Sequence, residues 1–301
     1  MVSFRKAELH LHLEGSIEPG TLRELGCQDG DIDARYQYSG FAGFIESFKW
    51  VTSYLRSPED YGLVTRHLLE NLERQNVTYA EITLAAGVAL WRKQDVAAIY
   101  DAVRRAAAGS GVTVYWILDA IRHFGPDHAM EVAKIAAERV DDGVVALGIG
   151  GDEARGPAEW FGEVFAFARK QGLRLTAHAG ETCGPESVWK AIEIGAERIG
   201  HGISSIEDPV LVRELRDRAI PLEVCISSNV ATGAVASLDA HPVRRLYDAG
   251  VLLTLNSDDP AMFHTTLTRE YELARDRFGF SDDELRSLAE DSFRYAFRGV
   301  S

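Results

Sequence analysis

The sequence predicts an α/β protein whose eight parallel strands close into a (β/α)8 TIM barrel, with extra helices inserted after the first strand. Three observations predict this fold. Eight short apolar or alternating runs recur along the 301 residues, helical patterns separate them, and polar or glycine residues follow each run. Strands that alternate with helices pair in parallel, and eight such units form a closed barrel of about 250 residues. We therefore expect one domain over residues 1–301.

The runs and the helical patterns follow one another in regular order. The predicted strands are Lys6–Leu13, Val77–Ala85, Val112–Arg122, Val144–Gly151, Leu173–His178, Arg198–Gly202, Ile220–Ser227 and Val251–Ser257. The predicted helices include Val96–Ala108, Asp127–Val140, Glu159–Gln171, Glu186–Ile194, Pro209–Asp217, Pro242–Ala249 and a closing helix Asp282–Phe297 that begins after Ser281. An open doubly wound sheet is the alternative, but neither a glycine-rich dinucleotide loop nor a Walker loop follows the first strand, which favours the barrel.

The segment between the first two strands is too long for a simple loop. It includes Phe41–Tyr61, in which Phe44, Phe48 and Tyr54 recur at spacings that fit an aromatic helical stripe. Two interpretations stay open. The stripe packs extra helices against the rim of the barrel, or it forms a lid over a site, because the loops after barrel strands border the active face.

The composition excludes several classes of function. The formal net charge is −14, and a negative field repels nucleic acids and anionic membrane surfaces. The three cysteines, Cys27, Cys183 and Cys225, are odd in number and widely spaced, which argues against a disulfide framework. No apolar run approaches the roughly 20 residues of a membrane span, and we expect no signal peptide. The sequence therefore predicts a cytoplasmic protein with a small-molecule partner, and neither nucleic acid nor a membrane as partner.

The first predicted strand carries two histidines in an alternating pattern. Successive side chains of a strand point to opposite faces, so one face carries three leucines and the other carries Glu8, His10, His12 and Glu14. In a barrel the polar face would point inward, where ionisable groups are costly unless something compensates them. A divalent cation would do so. The alternative is an edge strand with a solvated polar face.

Two further predicted strands end at a histidine. His178 ends the fifth strand and Glu181 follows three residues later, a spacing that can place a general acid or base beside a metal-bound water. His201 lies between Gly200 and Gly202, and glycines leave room for a ligand to approach. Each motif alone is a weak signal, because a single histidine is more often a satisfied core residue.

A pair of carboxylates follows the eighth predicted strand. Asp258 and Asp259 suggest one ligand to a metal and one to a substrate. The alternative is a helix N-cap pair, because Pro260 comes next. Together the four signals fall at the carboxyl ends of strands one, five, six and eight, where barrel active sites are built. Three histidines and one aspartate form a set suited to zinc, with a position left for water.

With these residues placed, the sequence resembles the adenosine deaminase family of the amidohydrolase superfamily over almost the whole chain. The motifs that carry the resemblance are ELHLHLEG, GIGGDE, HAGE, GHG, SSN and NSDDP, in this order. The resemblance implies one zinc ion per chain, with His10, His12, His178 and Asp258 as its ligands. No lysine ends a predicted strand, so we do not expect the lysine-bridged pair of metals found in many related hydrolases.

The resemblance also implies the chemistry. Glu181 matches the acid that protonates purine N1, and His201 matches the residue that orients the metal water and helps to deprotonate it. Asp258 is expected to take part in catalysis as well as to bind the metal. Asp259 matches the hydrogen-bond partner of purine N7, and the backbone of Gly151 matches the contact to N3. The implied reaction removes the 6-amino group hydrolytically and gives the 6-oxo purine and ammonia.

The residue at position 14 bears on the substrate. Glu14 lies where adenosine-specific members usually have an aspartate that touches the ribose 5′ region, and a glutamate reaches farther. Members that act on adenine, or on aminodeoxyfutalosine, a 5′-extended nucleoside of one menaquinone route, carry a similar HLEG. Ile226 replaces a proline that is frequent in the family, for which we expect only a local backbone effect. We predict a 6-aminopurine nucleoside with a modified 5′ position, and free adenine as the alternative.

Overall fold

The protein forms the predicted barrel of eight parallel strands with helices between them. The structure is a computed structural model that describes residues 2–28, 30 and 32–299. The strands are hydrogen-bonded in chain order, and all seven neighbouring pairs are parallel. They are β1 (Lys6–His12), β2 (Val77–Leu84), β3 (Thr113–Ile121), β4 (Val144–Gly150), β5 (Arg174–Ala179), β6 (Arg198–His201), β7 (Leu222–Val224) and β8 (Leu253–Leu255). Among the described residues, no helix has both the length and the apolar character to cross a membrane.

The barrel closes between β1 and the residues that follow β8. The backbone N–H of His12 donates to the carbonyl of Asp258 at 2.8 Å, and the N–H of Asp258 donates to the carbonyl of His10 at 3.0 Å. The Glu8 carboxylate accepts from both the backbone and the hydroxyl of Ser257. The seam therefore fixes the backbone of Asp258 against the strand that carries both early histidines.

The helices occupy the segments between the strands and the carboxyl-terminal region. Those of the described residues are α1 (Pro19–Glu24), α2 (Ile32–Arg35), α3 (Gly40–Thr52), α4 (Pro58–Arg74), α5 (Ala86–Trp91), α6 (Val96–Ala107), α7 (Pro126–Ala137), α8 (Gly162–Lys170), α9 (Pro185–Ile194), α10 (Pro209–Asp217), α11 (Ile226–Ala231), α12 (Val243–Asp248), α13 (Leu267–Phe278) and α14 (Asp282–Arg294). Each of the seven predicted helices named above is present. The sequence patterns named above predict no helix at α5, α11 or α13.

Some predicted boundaries differ from the observed ones for identifiable reasons. The last two strands are only three residues long, because α11 begins at Ile226 and the backbone of Asp258 turns to a φ of +63°. The closing helix stops at Arg294, short of the predicted Phe297. There the backbone N–H of Phe297 donates to the Glu81 carboxylate inside the barrel, a long-range contact that no local pattern signals.

The segment between β1 and β2 contains the four helices α1 to α4, of which α3 borders the cavity at the barrel mouth. Ser57 and Asp60 form a reciprocal capping box at the start of α4, which is the arrangement that satisfies free N–H groups at a helix start. Of the predicted aromatic stripe, Phe44 on α3 is buried, with its ring 5.0 Å from that of Phe263, whereas Phe48 is half-buried and Tyr54 lies beyond the end of α3. The same helix also contributes side chains to the cavity described below. The stripe therefore packs against the barrel and borders the cavity at once, while a lid motion stays a prediction.

Candidate metal and active site

Four predicted ligands converge at the carboxyl end of the barrel. His10, His12, His178 and Asp258 each offer one ligand atom, and these four atoms lie within 4.8 Å of one another. The Nε2 atoms of His12 and His178 are 3.2 Å apart. The Oδ1 atom of Asp258 lies 3.3 Å from Nε2 of both His10 and His12. Side chains from three distant parts of the chain thus meet at one point.

The chemistry of this donor set fits a divalent cation. Three imidazole nitrogens and one carboxylate oxygen are ligands that zinc takes in hydrolytic sites. The Nε2 atom of His10 is buried and faces Oδ1 of Asp258 at 3.3 Å. Burial and the neighbouring histidines His10 and His12 lower the pKa of His178 well below its ordinary value. Burial alone would raise the pKa of Asp258, but hydrogen bonds from His10 and His12 hold it well below its ordinary value. Burial alone would lower the pKa of His10 and His12, but neighbouring carboxylates raise that of His10 well above its ordinary value and that of His12 to about 9, so metal binding would release protons from these two imidazoles.

Two residues of the site have unusual backbone conformations. His201 and Asp258 have φ angles of +62° and +63°, which are unfavourable for side chains other than glycine and concentrate at functional sites. Gly200 leaves space for the ring of His10, one of the predicted metal ligands, because a Cβ built there would lie 2.7 Å from Cε1 of His10. The space that we attributed to an incoming ligand at this glycine is therefore filled by the His10 ring.

A buried network of charged side chains orients the ring of His10. Its Nδ1 atom lies 2.8 Å from Oε2 of Glu223, and the other Glu223 oxygen accepts from the Arg198 guanidinium at 2.5 Å. Arg198 also pairs with Glu81 at 2.7 Å. All three charged side chains are at most 1 % exposed. Because the carboxylate binds Nδ1–H, Nε2 of His10 is the atom left to face the metal position.

Glu181 lies beside the ligand cluster, where the sequence predicts a proton donor. Its carboxylate accepts from the Thr232 hydroxyl at 3.2 Å and lies 3.6 Å from Nε2 of His201. Burial, followed by the charges of Asp258 and Glu153, raises the pKa of Glu181 to about 8. A carboxyl group with this pKa carries its proton at neutral pH, which is the state that a general acid requires.

The loop that carries Glu181 is held by Glu153. The Glu153 carboxylate accepts from the backbone N–H groups of Gly180, Glu181 and Thr182, at 2.9, 3.0 and 2.8 Å. It also accepts from the Ser187 hydroxyl. Burial alone would raise the pKa of Glu153, but these hydrogen bonds, led by that of Ser187, lower it. Glu153 is therefore ionised and fixes the position of Glu181 through its backbone.

The remaining predicted site residues lie at different depths. Asp259 lines the cavity, and its buried Oδ1 has no partner among the described residues. Burial and the adjacent Asp258 raise the pKa of Asp259 well above its ordinary value. Gly151 also lines the cavity, with a φ of +91°. Glu14 is buried and accepts from the backbone N–H of Ala85 at 3.0 Å. It is not among the residues that line the cavity.

The sequence alone assigned no role to several residues that support the site. Asp119 is a single carboxylate within an apolar strand, a pattern that could have indicated it. Its buried Oδ1 has no partner among the described residues, and burial raises its pKa to about 6. Glu153 and Asn229 lie within the quoted motifs GIGGDE and SSN, but the sequence alone assigns them no role. Glu223 and His241 carry no local signal, because their role depends on contacts between distant strands and helices.

The ligand cluster forms the floor of a cavity of about 410 Å³, which is within the range of sites for drug-sized ligands. The deep part is lined by polar groups, namely His12, Asp119, His178, Glu181, His201, Asp258 and Asp259. The outer part is lined by aromatic and cationic side chains, namely Phe41, Phe44, Phe48, Trp91, Phe124, Lys49, Arg92 and Arg155. The cavity therefore combines the ionisable groups beside the ligand cluster with a set of aromatic and cationic side chains.

Comparison with known proteins agrees with this geometry. The sequence model of the adenosine deaminase family matches residues 5–299. The chain belongs to the adenosine deaminase family. Over 304 residues it is 37 % identical to an adenine deaminase of Rhizobium leguminosarum, covering 97 % of this chain and 94 % of that protein. Over 308 residues it is 39 % identical to an aminodeoxyfutalosine deaminase of Streptomyces avermitilis, covering 97 % and 86 %.

Solved structures of the family have the same barrel. An adenine deaminase from Arthrobacter aurescens superposes with a TM-score of 0.91 at 28 % identity, covering 98 % of this chain and 94 % of the other. An amidohydrolase from Burkholderia ambifaria with bound zinc gives a TM-score of 0.89 at 25 % identity, covering 98 % and 86 %. The chain is accordingly a hydrolytic deaminase of adenine-type substrates in a metal-dependent family.

Proposed function

We propose that this deaminase removes the 6-amino group from a purine nucleoside with a modified 5′ position, using one zinc ion per chain. The observation that carries the proposal is the convergence of His10, His12, His178 and Asp258 beside a protonated Glu181 at the floor of one cavity. These four residues would hold the zinc. When bound, it would lower the pKa of a coordinated water towards neutrality and so supply a nucleophile.

The residues around that position would hold the purine and its proton. Glu181 would donate a proton to N1 as water attacks C6, which keeps negative charge from building on the ring. The raised pKa of Asp259 favours its protonated carboxyl group, which would donate a hydrogen bond to N7. The backbone N–H of Gly151 would donate to N3. His201 would orient the attacking water, and the adduct at C6 would then release ammonia.

The mouth of the cavity supports a substrate larger than the purine. The rings of Trp91 and Phe124 stack there, with centroids 5.6 Å apart and planes at 11°. Lys49, Arg92 and Arg155 bring positive charge to the same part of the cavity, although the whole chain carries −14. These aromatic rings and cationic side chains favour a substrate whose 5′ extension is planar and negatively charged. Aminodeoxyfutalosine, the substrate named for one group of relatives, is an adenine nucleoside with a bulky 5′ extension.

Free adenine is the second candidate. The position of Glu14 favours it, because the residue expected to reach the ribose 5′ region binds the backbone of Ala85 and does not line the cavity. Relatives of nearly equal identity are named adenine deaminases.

The experiment compares kcat/KM on adenine, adenosine, 5′-methylthioadenosine and aminodeoxyfutalosine, followed by the ultraviolet change on deamination. We expect the highest value for the 5′-extended nucleoside. A highest value for adenine would replace our proposal with the second candidate. Deamination of none of the four, by protein that has been loaded with zinc, would contradict both.

A further inference from the structure

A chain of buried hydrogen bonds runs from the backbone to the catalytic face of His201. The Nδ1 atom of His201 lies 3.1 Å from Nδ2 of Asn229. Oδ1 of Asn229 lies 3.1 Å from Nε2 of His241. Nδ1 of His241 accepts from the backbone N–H of Val243 at 3.2 Å. The three side chains are at most 5 % exposed, so water does not compete for these contacts.

The direction of this chain is fixed at its far end. A backbone amide can only donate, so Nδ1 of His241 is an acceptor and carries no proton. Burial and the neighbouring His201 lower the pKa of His241 to about 4, so its ring is neutral near pH 7 and carries its one proton on Nε2. That N–H must donate, and the partner at 3.1 Å is therefore the carbonyl oxygen of the Asn229 amide.

The same reasoning applies to the hydrogen bond between Asn229 and His201. With its oxygen turned to His241, Asn229 presents its NH₂ group to Nδ1 of His201. An NH₂ group donates, so this Nδ1 is an acceptor without a proton. The proton of the His201 ring is then on Nε2, the atom that lies 3.6 Å from Glu181 Oε2 and 4.0 Å from Asp258 Oδ2.

We propose that Asn229 and His241 are positioning residues that hold His201 in the Nε2–H tautomer, so that His201 donates a hydrogen bond to the attacking water and does not accept its proton. This inference rests on the proposed function for the identity of the water. A packing role alone would be met by any side chains of this size, whereas the tautomer depends on which atom of each pair carries hydrogen.

Nε2 of His201 faces two carboxyl groups, those of Glu181 at 3.6 Å and Asp258 at 4.0 Å. With its one proton on that nitrogen, the neutral ring has no lone pair on the side of the water. His201 therefore fixes the direction of the attacking water as a hydrogen-bond donor, and the proton that the water loses goes to another acceptor.

Nitrogen-15 NMR of zinc-loaded protein, labelled at histidine, tests the tautomer directly. The His201 signals are identified by their loss in His201→Gln. We expect an unprotonated Nδ1 and a protonated Nε2 in the wild type. A proton on Nδ1, or on both nitrogens, at pH 7 would overturn the proposal. This readout needs no substrate, so it stands apart from a failure of the proposed function.

Asn229→Asp provides the matched perturbation, because a carboxylate of the same shape can only accept and would draw the His201 proton to Nδ1. We expect the tautomer to reverse, kcat to fall at least about 100-fold, and zinc content to stay at one per chain. Asn71→Asp makes the same chemical change on the surface helix α4 and should change neither readout. A reversed tautomer with unchanged kcat would refute the catalytic part of the proposal.

Discussion

Glu181 combines two features that its short motif does not reveal, a raised pKa and a fixed backbone. Burial provides the first, and the hydrogen bonds from the loop to Glu153 provide the second. Glu181→Gln retains the shape and hydrogen-bonding capacity of the side chain but removes the proton donor. We expect kcat to fall about 100- to 10,000-fold, with substrate Kd changed little, as measured by steady-state kinetics and equilibrium binding.

The control for that substitution is Glu186→Gln on α9, where the carboxylate is exposed and forms only a surface ion pair with Lys190. Its kcat should equal that of the wild type. Turnover by Glu181→Gln at the wild-type rate would remove Glu181 from the role of proton donor.

Glu223 orients a metal ligand without touching the metal position. Replacing it with glutamine removes the charge that holds Nδ1–H of His10. Loss of such an indirect partner typically weakens metal binding about 10- to 100-fold, and we expect a decrease of that size in zinc affinity, measured by competition with a chelator. Glu197→Gln is the matched control, because it alters a partly exposed pair with Arg174 and keeps the oxygen that accepts from the Leu175 N–H. Equal affinity in both variants would contradict this role for Glu223.

The sequence was informative about residues whose role depends on their own strand. Alternation and strand ends predict that His10, His12, His178, His201 and Asp258 lie together once a barrel is predicted, and the family resemblance separates the expected ligands from His201. The position of Glu14 shows the limit of that reasoning. Its face of β1 was predicted, but its pairing with the backbone of Ala85 depends on the end of β2, which no pattern around residue 14 encodes.

At the scale of elements, α14 supports the seam between β1 and β8, against which it packs. Ser281 is the N-cap of this helix. Its hydroxyl accepts a hydrogen bond from the N–H of Glu284, and the Glu284 carboxylate accepts one from the N–H of Ser281. Ser281→Ala should lower the free energy of unfolding by about 1 kcal/mol, seen as a lower urea midpoint at an unchanged slope. Ser53→Ala, at an exposed helix end, is the control, and an equal midpoint in both variants would argue against the cap.

The loop after β4 places Arg155 at the cavity mouth, and its contribution should depend on the substrate. Exposed charge pairs are worth up to about 1 kcal/mol, so Arg155→Gln should lower kcat/KM for an anionic 5′-extended nucleoside about 5-fold. The value for adenine should not change, because the base does not reach the mouth. Arg105→Gln, on the exposed face of α6, controls for the loss of one charge. An equal decrease on both substrates would contradict a role for this charge in substrate selection.

For the whole molecule, the alternation of strands and helices was sufficient to predict the architecture, because that alternation constrains strand order and direction together. The alternation did not predict the residue at which the closing helix ends. Phe297 enters the barrel, where its backbone binds Glu81 and its ring lies 3.5 Å from the Arg198 guanidinium. Those partners are some two hundred and one hundred residues away in the chain, so only the folded barrel brings them together.

The central claim is that four side chains from three distant segments hold one zinc ion that deamination requires. The most direct test measures zinc per chain and ammonia release in the same samples of purified protein, before chelation, after chelation and after reloading. We predict one zinc per chain in active protein, loss of both metal and ammonia release on chelation, and recovery of both on reloading. Ammonia release at the full rate by metal-free protein, or no zinc bound even after reloading, would contradict the claim.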